Sequence, residues 1–130
     1  MCHFKLHLLL VILLYLAMQV TFANKRLWKV ANDDRRMEAE LGFIRAKKFR
    51  LRLAQLIDVE TLEDVRYLAG NYHELRDDRK GQWSCDLDQP YRLVFTPHER
   101  PIPSNQDGQY VWSEIRGIEV IEIVNYHKEK

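Results

Sequence analysis

The hydrophobic pattern of this chain changes period at Gly70. Upstream, Ala46, Phe49, Leu53, Leu56 and Ile57 recur at helical spacing and predict a helix from about Leu41 to Ile57 with that stripe buried. Downstream, apolar residues alternate with polar ones. Strands are expected at about Tyr72 to Leu75, Gln82 to Leu87 and Tyr91 to Thr96, with a last one from Ile118. "RDDRKG" joins the first pair and "DQP" makes a tight hairpin turn between the second. Asn24 is a plausible N-cap for a short helix reaching about Met37. Thr61 caps a single turn through Tyr67 that Gly70 stops, and Pro97 to Gly108 reads as a loop. Val20 and Phe22 alternate as a first strand. The order predicts an α+β domain: an N-terminal strand and two helices packed on one face of a mostly antiparallel sheet.

A chain of 130 residues has room for one such domain with a modest core. Its net charge of +1 gives no overall attraction to a polyanion, so any nucleic acid must be met by local patches. Cys2 and Cys85 do not form a disulfide framework. CxxC and HExxH spacings are missing, as are the glycine patterns of Walker and Rossmann loops, so no metal and no cofactor is expected.

The most apolar stretch is "MCHFKLHLLLVILLYLAMQV". Its unbroken run from Leu8 to Met18 is well short of the about 20 residues that span a bilayer, and no stable membrane insertion is expected. Two readings fit. The segment resembles the core of a secretory signal cleaved after Ala23, which would make the product exported. Alternatively, translation starts at Met18, residues 1–17 are an upstream extension, and residues 18–130 are a cytoplasmic domain. Cleavage after Ala23 would discard the strand holding Val20 and Phe22, which favours the second reading.

Candidate chemistry concentrates in "NYHELRDDRKGQWSCDLDQPYRLVF", Asn71 to Phe95. Arg92 and Val94 share one strand face while Tyr91, Leu93 and Phe95 share the other. An arginine in a central strand needs its charge satisfied, by Asp86 or Asp88 or by a bound phosphate. His73, Arg76, Arg79 and Lys80 lie close by, and Tyr126 and His127 near the end. RNA is cleaved by its own 2′-OH when one group takes that proton, another protonates the leaving 5′-oxygen, and cations hold the charge on the phosphate. Histidine suits either proton role. Arg45, Lys47, Lys48, Arg50 and Arg52 crowd the long helix, either as a solvated face or as a surface for polyanionic nucleic acid.

"YHELRDDRKGQWSCDLDQPYRLVF" with the terminal "IEIVNYH" resembles the HigB branch of the RelE toxin superfamily, the plasmid-maintenance killer proteins, over roughly Met18 to His127. The resemblance implies a RelE-like fold and a ribosome-dependent endoribonuclease, an mRNA interferase that cuts messenger RNA without metal. Its partners would be the ribosome, mRNA and a HigA-like helix-turn-helix antitoxin. It assigns catalytic roles to His73, Arg79, Arg92, Tyr126 and His127. Arg76, Lys80, Lys47, Lys48, Arg52 and Asn125 are expected to bind substrate. Asn125 stands where the family usually has Asp, and Asp77 where it usually has glycine. A second reading is therefore a non-cleaving relative that binds its antitoxin and operator.

Overall fold

The computed structural model describes residues 17–126. The apolar leader up to Leu16 and the expected catalytic residue His127 lie outside the described residues. Strands β1 (Gln19–Phe22), β2 (His73–Glu74), β3 (Trp83–Asp86), β4 (Tyr91–Pro97) and β5 (Gly117–Asn125) form one sheet in the order β1-β5-β4-β3-β2. β1 runs parallel to β5 and every other pair is antiparallel. Helices α1 (Lys25–Asn32), α2 (Asp34–Leu41) and α3 (Phe43–Asp58) lie between β1 and β2, with 3-10 turns at Leu62–Tyr67, Asp77–Arg79 and Trp112–Glu114. The α+β class and the mostly antiparallel sheet are as the sequence predicts.

The helical half differs in one respect. Asn24 does cap α1, its side chain accepting from the Leu27 amide at 2.9 Å. The helix expected to reach Met37, however, ends at Asn32. Asp33 adopts an extended backbone and its carboxylate accepts the Arg36 amide at 3.2 Å, so it starts α2. An acidic side chain that can cap competes with helix continuation, and the break lets Val30 and Met37 both reach the core. Thr61 opens the next turn with its amide on the Asp64 carboxylate at 3.1 Å, but that turn closes at Leu68, ahead of Gly70.

On α3, Ala46, Phe49, Leu53 and Leu56 are buried as expected, whereas Ile57 is 49% exposed. Ile57 and Arg52 flank the stripe on opposite sides. The chain from Ala69 to Gly70 covers the Arg52 side, and no element covers Ile57 to the same degree. The buried stripe packs on Trp83, Cys85, Leu93, Phe95, Ile118 and Val120, and each large side chain so buried contributes about 1.5–3 kcal/mol.

Register decides which residues face the helices. Cys85 opposes Leu93, which opposes Ile123, and Trp83 opposes Phe95, which opposes Val120. A bulge in the β4–β5 pairing, at Val94/Phe95, leaves Ile121 as the extra residue of β5. Val120 and Ile123, three apart, thereby both face the core. The same shift puts Glu122 on the other face.

Candidate functional site

Paired residues share a sheet face. Across the face away from the helices, His73 of β2 pairs Ser84 of β3, Ser84 pairs Val94 of β4, and Val94 pairs Glu122 of β5. One row along, Asp86 pairs Arg92, which pairs Val124. The sequence pattern that set Arg92 and Val94 against Tyr91, Leu93 and Phe95 is realised.

His73 is half-buried on the β2 edge. Its Nδ1 lies 2.8 Å from the Asn71 carbonyl oxygen and its Nε2 lies 3.3 Å from Ser84 Oγ. A carbonyl only accepts, so the neutral ring carries its proton on Nδ1 and its Nε2 accepts from the Ser84 hydroxyl. Asn71 makes this possible with a left-handed backbone, φ 55°, a conformation asparagine tolerates better than most residues. Ser84 is itself buried, so its hydroxyl orients the ring and does not compete with it for a ligand.

Both strand-face arginines have protein counter-ions. Arg79 crosses the face from its 3-10 turn, its Nη2 on the Glu122 carboxylate and its Nη1 on Gln82 Oε1 at 2.9 Å. Arg92 lies 3.6 Å from Asp86 and stacks on the Tyr126 ring, 3.9 Å from guanidinium carbon to centroid. Tyr126 itself is delivered by the end of β5, its amide bonded to the Pro90 carbonyl. His73, Arg79, Arg92 and Tyr126 thus occupy one side of one sheet. Their partners Ser84 and Glu122 carried no signal of their own. Glu122 was hidden by the bulge, which breaks the alternation from which its face would be read.

Beside His73 a cavity of about 460 Å³ is also lined by Arg76, Lys80, Arg66 and Tyr110. Arg76 and Lys80 therefore join His73 as expected. Arg66 comes from the 3-10 turn just before β2 and Tyr110 from a distant loop, with no motif to mark either.

Four of the expected substrate-binding residues are not brought to this face. Arg52, on the buried side of α3, is only 6% exposed, with Nε on the Asp86 carbonyl at 2.7 Å and Nη1 on Ala69 O and Gln55 Oε1, each at 3.2 Å. It is a core residue whose donors are taken by carbonyls. Lys47 and Lys48 are exposed, but α3 lies on the opposite side of the sheet. The other cations of that helix are neutralised: Arg45 by Asp88 at 2.9 Å, and Arg50 by Asp34 and Glu38 at 3.1 and 3.0 Å. Asn125 pairs Tyr91, so its register places it with the helix-facing residues and away from Arg92.

Among the described residues, no three His, Cys, Asp or Glu side chains are arranged to hold a metal ion, and no helix is long and apolar enough to cross a membrane. No family model, no curated protein and no solved structure matches this chain.

Proposed function

We propose that this chain is a RelE-like toxin of the HigB type, a cytoplasmic endoribonuclease that cuts mRNA on the ribosome. The observation that carries the reading is His73: a half-buried imidazole held by the Asn71 carbonyl at Nδ1 and by the Ser84 hydroxyl at Nε2, on the same sheet face as Arg79, Arg92 and Tyr126. In this reaction the 2′-oxygen attacks the adjacent phosphorus as its proton passes to a base. The P–O5′ bond breaks, and an acid protonates the departing 5′-oxygen, leaving a 2′,3′-cyclic phosphate. His73 takes one proton role and His127, assigned by resemblance alone, the other. Arg79 and Arg92 face the charge that grows on the non-bridging oxygens.

A helix-turn-helix antitoxin belongs to this reading. Exposed Phe43 (70%), Ile44 and Leu51 alternate with Lys47 and Lys48 along α3, which supports a protein partner on that side. One observation favours the second reading, a binding module without activity: both arginines already hold carboxylates. Cleavage of ribosome-bound mRNA, read by primer extension, separates the two. Cutting by the parent that is lost in His73→Ala and His127→Ala supports the nuclease; a parent that never cuts while it co-purifies with the antitoxin supports the module.

A further inference from the structure

We infer that the hollow beside His73 is a nucleotide subsite in which a base of single-stranded RNA stacks on Tyr110 while Arg76 and Lys80 take the adjoining phosphates. This rests on the RNA-binding reading above and adds where the strand runs.

Two cavities, of about 460 and 530 Å³, share Arg66, Glu74, Lys80 and Tyr110 as walls. They form one trough leading from His73 along the β2 edge to Trp112. Each is of ligand-binding size. The charge in the trough is unevenly committed. Arg66 sits over the Trp83 ring and is committed to both Glu63 and Glu74, at 2.8 and 2.7 Å, which leaves that trio with one net negative charge. Arg76 and Lys80 have no carboxylate at ion-pair distance among the described residues, and Asp77 is the one remaining acid in the lining.

Tyr110 is half-buried, and its ring is set at 64° to Trp112 with centroids 5.1 Å apart. Lys80 Nζ lies 5.5 Å from that ring. Gly81, at φ +97°, lets the chain pass this wall; a Cβ there would come within 2.9 Å of Ile102 and 4.0 Å of Tyr110. The loop that presents Tyr110 is built to hold it still. Asn105 Oδ1 accepts the amides of Asp107 and Gln109, Val111 donates to Pro103, and Ser104 bridges Tyr110.

An aromatic wall fixed in place next to two uncommitted cations suits a group that is planar at one end and anionic at the other. A nucleotide is both. An acidic peptide would satisfy Arg76 and Lys80 but carries a planar group only where its sequence supplies an aromatic residue, whereas every nucleotide joins a planar base to its phosphate. Because every base has a π-face, stacking of this kind is tolerant of sequence.

The test uses the full chain, a short fluorescent single-stranded RNA, and an abasic oligomer with the same phosphates, compared by anisotropy. Tyr110→Ala should bind the RNA about tenfold more weakly, and Tyr110→Phe as the parent does. The parent should bind the abasic oligomer as weakly as Tyr110→Ala binds RNA. Lys80→Gln should flatten the salt dependence. The parent also gives a readout that needs no substitution: upfield shifts of the Tyr110 ring protons with RNA and not with the abasic oligomer. Equal shifts with both probes, or Tyr110→Ala binding like the parent, overturn the subsite. A parent that binds RNA through Tyr110 yet cuts nothing on the ribosome removes the nuclease reading and leaves the subsite standing.

Discussion

Arg92 Nε lies 3.6 Å from Asp86 Oδ1, and neither atom makes a hydrogen bond. The two charges attract, but the directional part of the interaction is unmade, although both side chains are about four-fifths buried. A pair of this kind leaves a donor with capacity to spare in the middle of a sheet. Nε itself is enclosed, so on the proposed reading a phosphate would be met by the outer part of the Arg92 guanidinium, whose charge Asp86 only loosely engages.

Arg92→Gln should therefore lower mRNA cleavage on the ribosome by about 10²-fold or more. Asp86 keeps Asn71 and Gln89 as amide donors, so unfolding free energy should fall by only about 1–2 kcal/mol. Primer extension and urea unfolding measure the two quantities. Undiminished cutting would make Arg92 a structural counter-ion and nothing more.

Arg52 gives the opposite expectation. It is buried with no carboxylate partner among the described residues, and its guanidinium is clasped by carbonyls and by Gly70, where a Cβ would come within 2.8 Å of it. Gly70 also has φ +129°, which side-chain-bearing residues rarely adopt. Arg52→Met should cost about 2–4 kcal/mol by stranding buried carbonyls, and Gly70→Ala should destabilise as well. Lys48→Ala should leave the midpoint where it is. Urea midpoints that rank these variants otherwise would contradict the burial argument.

The sheet predicts what an N-terminal truncation does. Val20 and Phe22 pair Ile118 and Val120, both fully buried, and Met18 donates to Val59 across the top of α3. A chain beginning at Met18 should unfold cooperatively like the parent. A chain beginning at Asn24 lacks β1, opens the edge of β5, and should be largely unfolded or aggregated. Circular dichroism and thermal melting of the two truncations decide this; two equal melting curves would show that β1 is dispensable.

The strands were legible because alternation reports a two-sided sheet: Tyr91 to Thr96 needed only its own residues to assign faces. The candidate site was legible to the extent that it sits on that alternation, which is why His73 and Arg92 emerged together. Local rules failed where tertiary cover decides. Arg52 and Ile57 flank the same helical stripe, and only the distant Ala69–Gly70 segment determines which is buried. Asp33 splits a helix that hydrophobic spacing alone would continue. Tyr110 lies in a loop 29 positions beyond Gly81, and no periodicity links a loop residue to the cavity it lines.

Alkaline pH should weaken the fold in a defined window. Burial pushes the Cys85 thiol up to about 12 from its ordinary 9.0, and raises the Tyr72 hydroxyl above its ordinary 10.0. The unfolded chain releases the thiol proton near 9 while the folded chain retains it. Above pH 9 the unfolded state binds fewer protons, so stability falls as pH rises, by at most about 1.4 kcal/mol per pH unit for this group. Tyr72 adds to the slope once pH passes 10. Cys85→Ala should flatten the profile between about 9 and 10, as read from urea unfolding at successive pH values. An unchanged slope in that variant would mean that another group sets the alkaline limit.

Register places Glu122 of β5 on the face of His73 and Arg92, and Asn125 on the other. Asn125 pairs Tyr91 on the helix-facing side, so Asn125→Asp should leave ribosome-bound cleavage close to the parent's. Glu122 instead neutralises Arg79 across Val94. Both side chains of that pair are about a third exposed, so its loss should change stability by less than about 1 kcal/mol. Glu122→Gln keeps an oxygen acceptor for Arg79 but removes the charge that competes with a phosphate. Its affinity for labelled single-stranded RNA at low salt should rise severalfold, and the gain should shrink as salt screens the field. Glu122→Ala removes the acceptor too, which lets the long Arg79 side chain swing, so its affinity should rise less than that of Glu122→Gln. Anisotropy titrations at two salt concentrations resolve the order. If both variants bind more weakly than the parent, Glu122 serves to hold Arg79 in reach of the substrate, and the ion pair is a support instead of a competitor.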